Sequence, residues 1–276
     1  MILDEDLLKE PFQKLRKSLK PHSKLALPEE IHCLRTQIRR LEATIYGMRF
    51  DRKVSGDHLL KAVKPVRKAA GKVRDMDVFV ALVSSLISNS KDEGPIRLLE
   101  YLGGCRVKAV SALHAAVEEH RRATRHYLKR CFRQVKKKLD PARNYNTDEV
   151  SLSAGVLSFS RELEGKLAAW PNLDSKNLHS YRLKVKELRY ILQFTQDRHS
   201  SLVKKLGQIK DRIGEWHDWH ELSRIARKVL GKDADDKTAK RIRRTARQKL
   251  GSALTVTNAM RARYLSEHMS QVVDEK

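Results

Sequence analysis

IHCLRTQIRR, residues 31–40, and LHSYRLKVKELRY, residues 178–190, each set a histidine at the head of a helix-spaced row of cations. At ~100° per residue, positions 0, 3, 7, 10 and 11 fall within roughly one third of a helix circumference. In the first stretch and its continuation those positions are His32, Arg35, Arg39, Glu42 and Ala43, with Arg40 beside them. In the second they are His179, Arg182, Lys186, Arg189 and Tyr190. Apolar residues interleave on the neighbouring face: Ile31, Leu34, Ile38, Leu41 and Ile45, then Leu178, Tyr181, Val185, Leu188 and Leu192. Each stretch therefore reads as a helix with an apolar seam beside a cationic one. A merely solvated face has no need of histidine and gains by alternating signs at i, i+4. A nearly single-signed row is destabilising without an anion, so both rows read as binding surface.

Working outward, helical periodicity is nearly continuous and no period-two run of useful length appears, which makes the chain all-α. A first helix is expected over 4–20, and a second from Pro28, with Glu29 and Glu30 at its positive end, to about Phe50. Ser55-Gly56-Asp57 reads as the cap of a third, kinked at Pro65, and Asp75 as the cap of a short fourth. Gly94-Pro95 opens a long helical region to about Leu139, with an interruption at Gly103-Gly104. DPARNYNTDE, 140–149, is the one linker. Beyond it, helices are expected at 151–169, 175–197, 200–215, 218–230 and 234–270. GKVRD at 71–75 aligns with GEWHD at 214–218, as the two stripes align, so the order reads as an internal duplication. The halves are 1–140 and 151–276, joined by 141–150, with about ten helices in two antiparallel bundles. The helix after each stripe adds cations: Lys61, Lys64, Arg67, Lys68 and Arg74, matched by Lys204, Lys205, Lys210 and Arg212.

The 276 residues carry a net charge of +24, with 31 basic against 17 acidic residues up to residue 140 and 27 against 17 beyond it. The excess thus runs through the folded body, where self-repulsion asks for a polyanion to offset it. Three widely spaced cysteines, Cys33, Cys105 and Cys131, fit free thiols in a reducing cytoplasm. No run approaches the ~18 apolar residues of a membrane span, and MILDEDLLKE has no signal-peptide core. No membrane partner is expected.

The H-x-x-R-x-x-x-R-R stripe, the G-x-x-R-D turn followed by D-x-D-V, and the H-x-x-R-x-x-x-K-x-x-R-Y stripe resemble the CHAD family of histidine-bearing α-helical domains. The resemblance covers roughly residues 5–270 and includes both halves. It implies two pseudosymmetric helical bundles around a basic central cleft, inorganic polyphosphate as ligand, and a place at polyphosphate granules in the cytoplasm. It also implies that His32, Arg35, Arg39, Arg40, His179, Arg182, Lys186 and Arg189 line the binding surface. Two departures stand out. Glu42 puts a carboxylate where the family commonly has a cation, and Glu187 takes the position of Arg40 in the second copy. Arginine offers bidentate donors to phosphate and lysine a mobile point charge. Histidine crowded by cations should resist charging, and bound phosphate should restore its charge, so binding should be tighter near pH 6 than near pH 8.

The alternative is a nucleic-acid-binding helical protein using the same surface. No helix-turn-helix or zinc signature supports it, and aromatics are only 6% of residues, leaving few stacking platforms. Charge alone predicts weak nucleic-acid affinity. Trp216 and Trp219 read as core anchors. An enzyme is not expected: Asp75-Met-Asp77 sits between helices rather than at a strand end, and paired acid and base carboxylates are absent. His217-x-x-His220 lacks the second half of a metal site and reads as a turn. The sequence therefore assigns no catalytic residue, metal or cofactor.

Overall fold

The computed structural model describes residues 5–19, 26–49, 53–87, 92–138, 148–194, 200–231 and 236–265. They form α1 (Glu5–Ser18), α2 (Pro28–Gly47), α3 (Val54–Ser84), α4 (Gly94–Lys138), α5 (Asp148–Ala168), α6 (Leu178–Leu192), α7 (Ser201–Val229) and α8 (Lys237–Met260). A π-helical turn, Arg261–Leu265, follows, and there is no strand among the described residues. The expected linker lies mostly outside the described residues; Asp148 already belongs to α5.

Among the described residues eight α-helices stand where about ten were expected, because two of the expected breaks are continuous helix. Asp75 caps nothing: it lies inside α3, which also begins before Ser55-Gly56-Asp57 and runs on through Pro65. The apolar face explains this, since Val66, Ala70, Val73, Phe79 and Val83 keep helical spacing across Asp75 and are all buried. α7 likewise passes through Gly214 and His217, carried by buried Leu206, Ile209, Ile213, Trp216 and Leu222. α4 does not break at Gly103-Gly104 either. Each glycine costs the helix about 1 kcal/mol, which buried Leu98, Leu102, Ala109 and Val110 on the flanking turns offset.

Packing divides the chain into two compact units, each drawn from three stretches. Unit 1 comprises Met1–Arg74, Ala109–Leu163 and Glu187–Val203; unit 2 comprises Asp75–Lys108, Glu164–Lys186 and Lys204–Lys276. The boundary falls inside α3, α4, α5, α6 and α7 rather than at residues 140–150.

In unit 1, α1 packs on α2, and Phe12 of α1 meets Phe132 of α4 at 5.8 Å between ring centroids. The seam of α2 (Ile31, Leu34, Ile38, Leu41 and Ile45) is fully buried; each such side chain contributes about 1.5–3 kcal/mol. α2 starts at Pro28 as expected, and Glu30 accepts a hydrogen bond from the Leu27 N–H at 3.2 Å. In unit 2 the core gathers Phe79, Leu98, Leu102, Trp219, Leu222 and Ile242. There Arg261 donates to the carbonyls of Ala168, Trp170 and Pro171 and stacks over buried Tyr181, a structural use of an arginine.

Candidate anion-binding site

The stripes leave the core because the seams enter it. With the seam positions of α2 and α6 buried, the adjacent face is held half-exposed.

Unit 1 assembles its cations from α2, α3 and the end of α6. Arg35 is half-buried and lies beside Gly71 of α3, where a Cβ would stand 3.9 Å from its Nε. Arg39 and Arg67 converge on one carboxylate. Glu42 Oε2 is 3.3 Å from Arg39 Nη1, and Oε1 is 2.7 Å from Arg67 Nε. Burial, with repulsion from Arg67 and Arg35, pulls the Arg39 guanidinium below its usual value, against the support of Glu42 and Tyr190. An arginine stays charged regardless, so the direction reflects the cost of holding several cations in a half-buried place. Arg39 Nε and Arg189 Nε are buried with no hydrogen-bond partner among the described residues. An unmet buried donor costs about 1–3 kcal/mol, more when charged. Arg189 and Tyr190 belong here by packing, although the sequence groups them with the second stripe.

The rest of the expected set in unit 1 is more scattered. His32 is exposed. Arg40 approaches Glu10 of α1 at 3.9 Å. Lys61 pairs with Asp57 one turn back, Lys64 and Lys68 are exposed, and Arg74 is half-buried. The cluster with described contacts is Arg35, Arg39, Glu42, Arg67 and Tyr190.

Unit 2 holds a second cluster, from α6 and α7. Arg182 lays its guanidinium directly over Gly214, and its Nε donates to the Lys210 carbonyl at 3.0 Å. The His179 ring stacks 4.2 Å from that of His217. Lys210 pairs with neighbouring Asp211 at 2.6 Å, while Lys204 and Lys205 are exposed. Burial, then His217, Arg182 and Lys186, pull the His179 imidazole down to about 4, with Glu221 opposing. His179 is therefore neutral at pH 6 as well as at pH 8, so in the free protein it supplies no charge difference between them.

That shift fixes a stability profile. The unfolded chain takes up the His179 proton near 6.5, the folded chain only near 4. Between those values the unfolded state holds more protons, so stability falls as pH drops. The ligand-free melting temperature should decline from about pH 6.5 to about pH 4.5, and decline less in His179→Gln, as circular dichroism melts would show. An identical acid slope in the variant would assign it to other groups.

Gly71 and Gly214 occupy the aligned GKVRD and GEWHD positions, which are helix rather than turn. At Gly214 the role is close approach, since Arg182 passes over a backbone with no Cβ, whereas Arg35 lies beside Gly71 at ordinary contact distance. His217, which the metal-spacing reading set aside, proves to be the partner of His179. Among the described residues no group of three or more metal-ligating side chains occurs. Asp77 is spent on Arg106, 2.6 Å away, and His220 packs on Trp216. The two glycines should respond differently to alanine. At Gly71 the Cβ makes an ordinary contact, so Gly71→Ala should stabilise by about 1 kcal/mol, roughly 2 °C in melting temperature. At Gly214 a Cβ would stand 2.9 Å from Arg182 Cζ and must displace it from the Lys210 carbonyl. The lost hydrogen bond has a charged donor, worth about 1.5–3 kcal/mol, and outweighs the propensity gain. Equal stabilisation at both sites would show that Arg182 is not held there.

The profile of the CHAD domain matches residues 7–227, which includes both clusters and ends before α8. Of solved structures, the chain is similar to the crystal structure of the CHAD domain from the plant Ricinus communis. The TM-score is 0.58 at 18% identity, over 95% of this chain and 86% of that one. No curated protein sequence is a significant match. With its all-helical frame, and the profile covering well over half its residues, the chain belongs to the CHAD family.

Proposed function

We propose that this protein binds inorganic polyphosphate, without turning it over, through the two cation clusters. The observation that carries the reading is a set of half-buried arginines, two with buried unpartnered Nε groups, crowded so that their charges repel. Such a cluster wants tetrahedral oxyanions, which accept several charge-assisted hydrogen bonds each. Polyphosphate presents little else, so it asks for repeated cations rather than a shaped pocket. The family resemblance points to the same ligand, and to a cytoplasmic location at polyphosphate granules. No helix among the described residues is long and apolar enough to cross a membrane.

Nucleic acid is the second reading, and α8 is the feature that favours it. Lys240, Arg243, Arg244 and Arg247 form an exposed row there, outside the family match. Competition decides between the two. Titration calorimetry with long-chain polyphosphate, repeated in excess duplex DNA at physiological salt, should give a micromolar or tighter constant that the DNA barely moves. Displacement of polyphosphate by duplex at comparable phosphate concentration would favour nucleic acid. Steady phosphate release from polyphosphate in magnesium would make the protein an enzyme.

A further inference from the structure

Glu42 has no counterpart in the second stripe, where the matching position is Arg189. Its side chain is 12% exposed, and its carboxylate stands between Arg39 and Arg67, bridging α2 and α3 within unit 1. Those two arginine side chains are 28% and 20% exposed. A phosphate entering the cluster would seek the same donors, at the same distances. In the second cluster Lys210, aligned with Arg67, pairs with its own neighbour Asp211.

We infer that Glu42 is a built-in competitor for the anion site of unit 1, a carboxylate that holds Arg39 and Arg67 apart from each other's charge until a phosphate displaces it. The inference rests on the polyphosphate reading for its natural ligand. Two consequences follow with opposite signs. Without ligand, Glu42 relieves repulsion between Arg39 and Arg67 and stabilises the fold. With ligand, it must be displaced or must lie beside phosphate, so it weakens binding. A purely structural ion pair would not separate these effects, because its loss would lower melting temperature and affinity together.

The test compares the parent protein with Glu42→Gln and Glu42→Asp. Glutamine keeps the shape and removes the charge; aspartate keeps the charge on a shorter arm. Glu42→Gln should melt lower than the parent in ligand-free buffer, yet bind long-chain polyphosphate about tenfold more tightly, equivalent to about 1.4 kcal/mol. Glu42→Asp should bind within about twofold of the parent, a difference of about 0.4 kcal/mol. If Glu42→Gln binds no tighter, or both variants weaken alike, the carboxylate is structural and the inference is wrong. Melts in sulfate keep the question answerable without the polymer. Sulfate should raise the melting temperature of Glu42→Gln more than that of the parent. Should the parent fail to bind polyphosphate, the functional reading falls, while the sulfate melts alone uphold or overturn the role of Glu42.

Discussion

Replacing Arg35, Arg39, Arg182 and Lys186 together by glutamine should weaken polyphosphate binding by at least about 100-fold. Replacing Lys240, Arg243, Arg244 and Arg247 by glutamine should cost less than about tenfold, or ~1.4 kcal/mol. Both variants lose four charges, from +24 to +20, so any difference between them is location and not net charge. A lost hydrogen bond to a charged group costs about 1.5–3 kcal/mol. If only two of the four stripe contacts are made to phosphate, the loss is already about 3 kcal/mol, or two decades. The α8 row is exposed and contributes chiefly its field, which salt screens. Some stability is given up in the stripe variant, since Arg182 bonds the Lys210 carbonyl and Arg39 meets Glu42. Circular dichroism should still show the helical fold. Equal weakening of the two variants would mean a diffuse attraction, and the stripes would lose their claim to be a site.

The second large effect is that of salt. Between ~50 and ~200 mM monovalent salt, affinity for long polyphosphate should fall by roughly 100- to 1,000-fold. For duplex DNA, six to ten phosphate contacts lose about 10³- to 10⁵-fold over that range, through release of condensed counterions. Polyphosphate should follow the same law, here toward its weaker end because Glu42 already occupies two of the arginines. Calorimetric titrations at four or five salt concentrations give the slope of log affinity against log salt. A flat line would rule out an electrostatic site, whatever the affinity.

The parts of the molecule legible in the sequence are those governed by local periodicity. The seams of α2 and α6 are buried residue for residue, and Trp216 and Trp219 are core as expected. The three cysteines are free thiols. Helix breaks were the least legible feature. Gly71, Gly214 and Asp75 carry turn chemistry in sequence, but a continuous apolar face overrides it. The charges divided along similar lines. Arg35, Arg39, Arg182 and His179 sit where the stripe puts them, whereas Lys61 meets Asp57 and Arg189 falls in the other unit from His179. Partner choice of this kind depends on which helices meet, which no single stripe encodes. The function of the glycines was hidden for the same reason. Their alignment was visible, but the arginine beside each comes from another helix.

α8 carries seven lysines and arginines between Lys237 and Met260 and not one aspartate or glutamate. Its inward side, Ala239, Ile242, Ala246 and Ala253, fixes it in place, so the exposed row is a fixed surface rather than a loose tail. A row of this kind acts before contact, by drawing a polyanion in from solution, and it has little hold on the polymer once bound. Its influence should therefore be kinetic. Neutralising it slows capture and leaves the residence time of bound polymer unchanged, whereas neutralising the stripes shortens residence. In a cell where phosphate polymers meet many basic surfaces, α8 would decide how soon this protein arrives, and the stripes how long it stays.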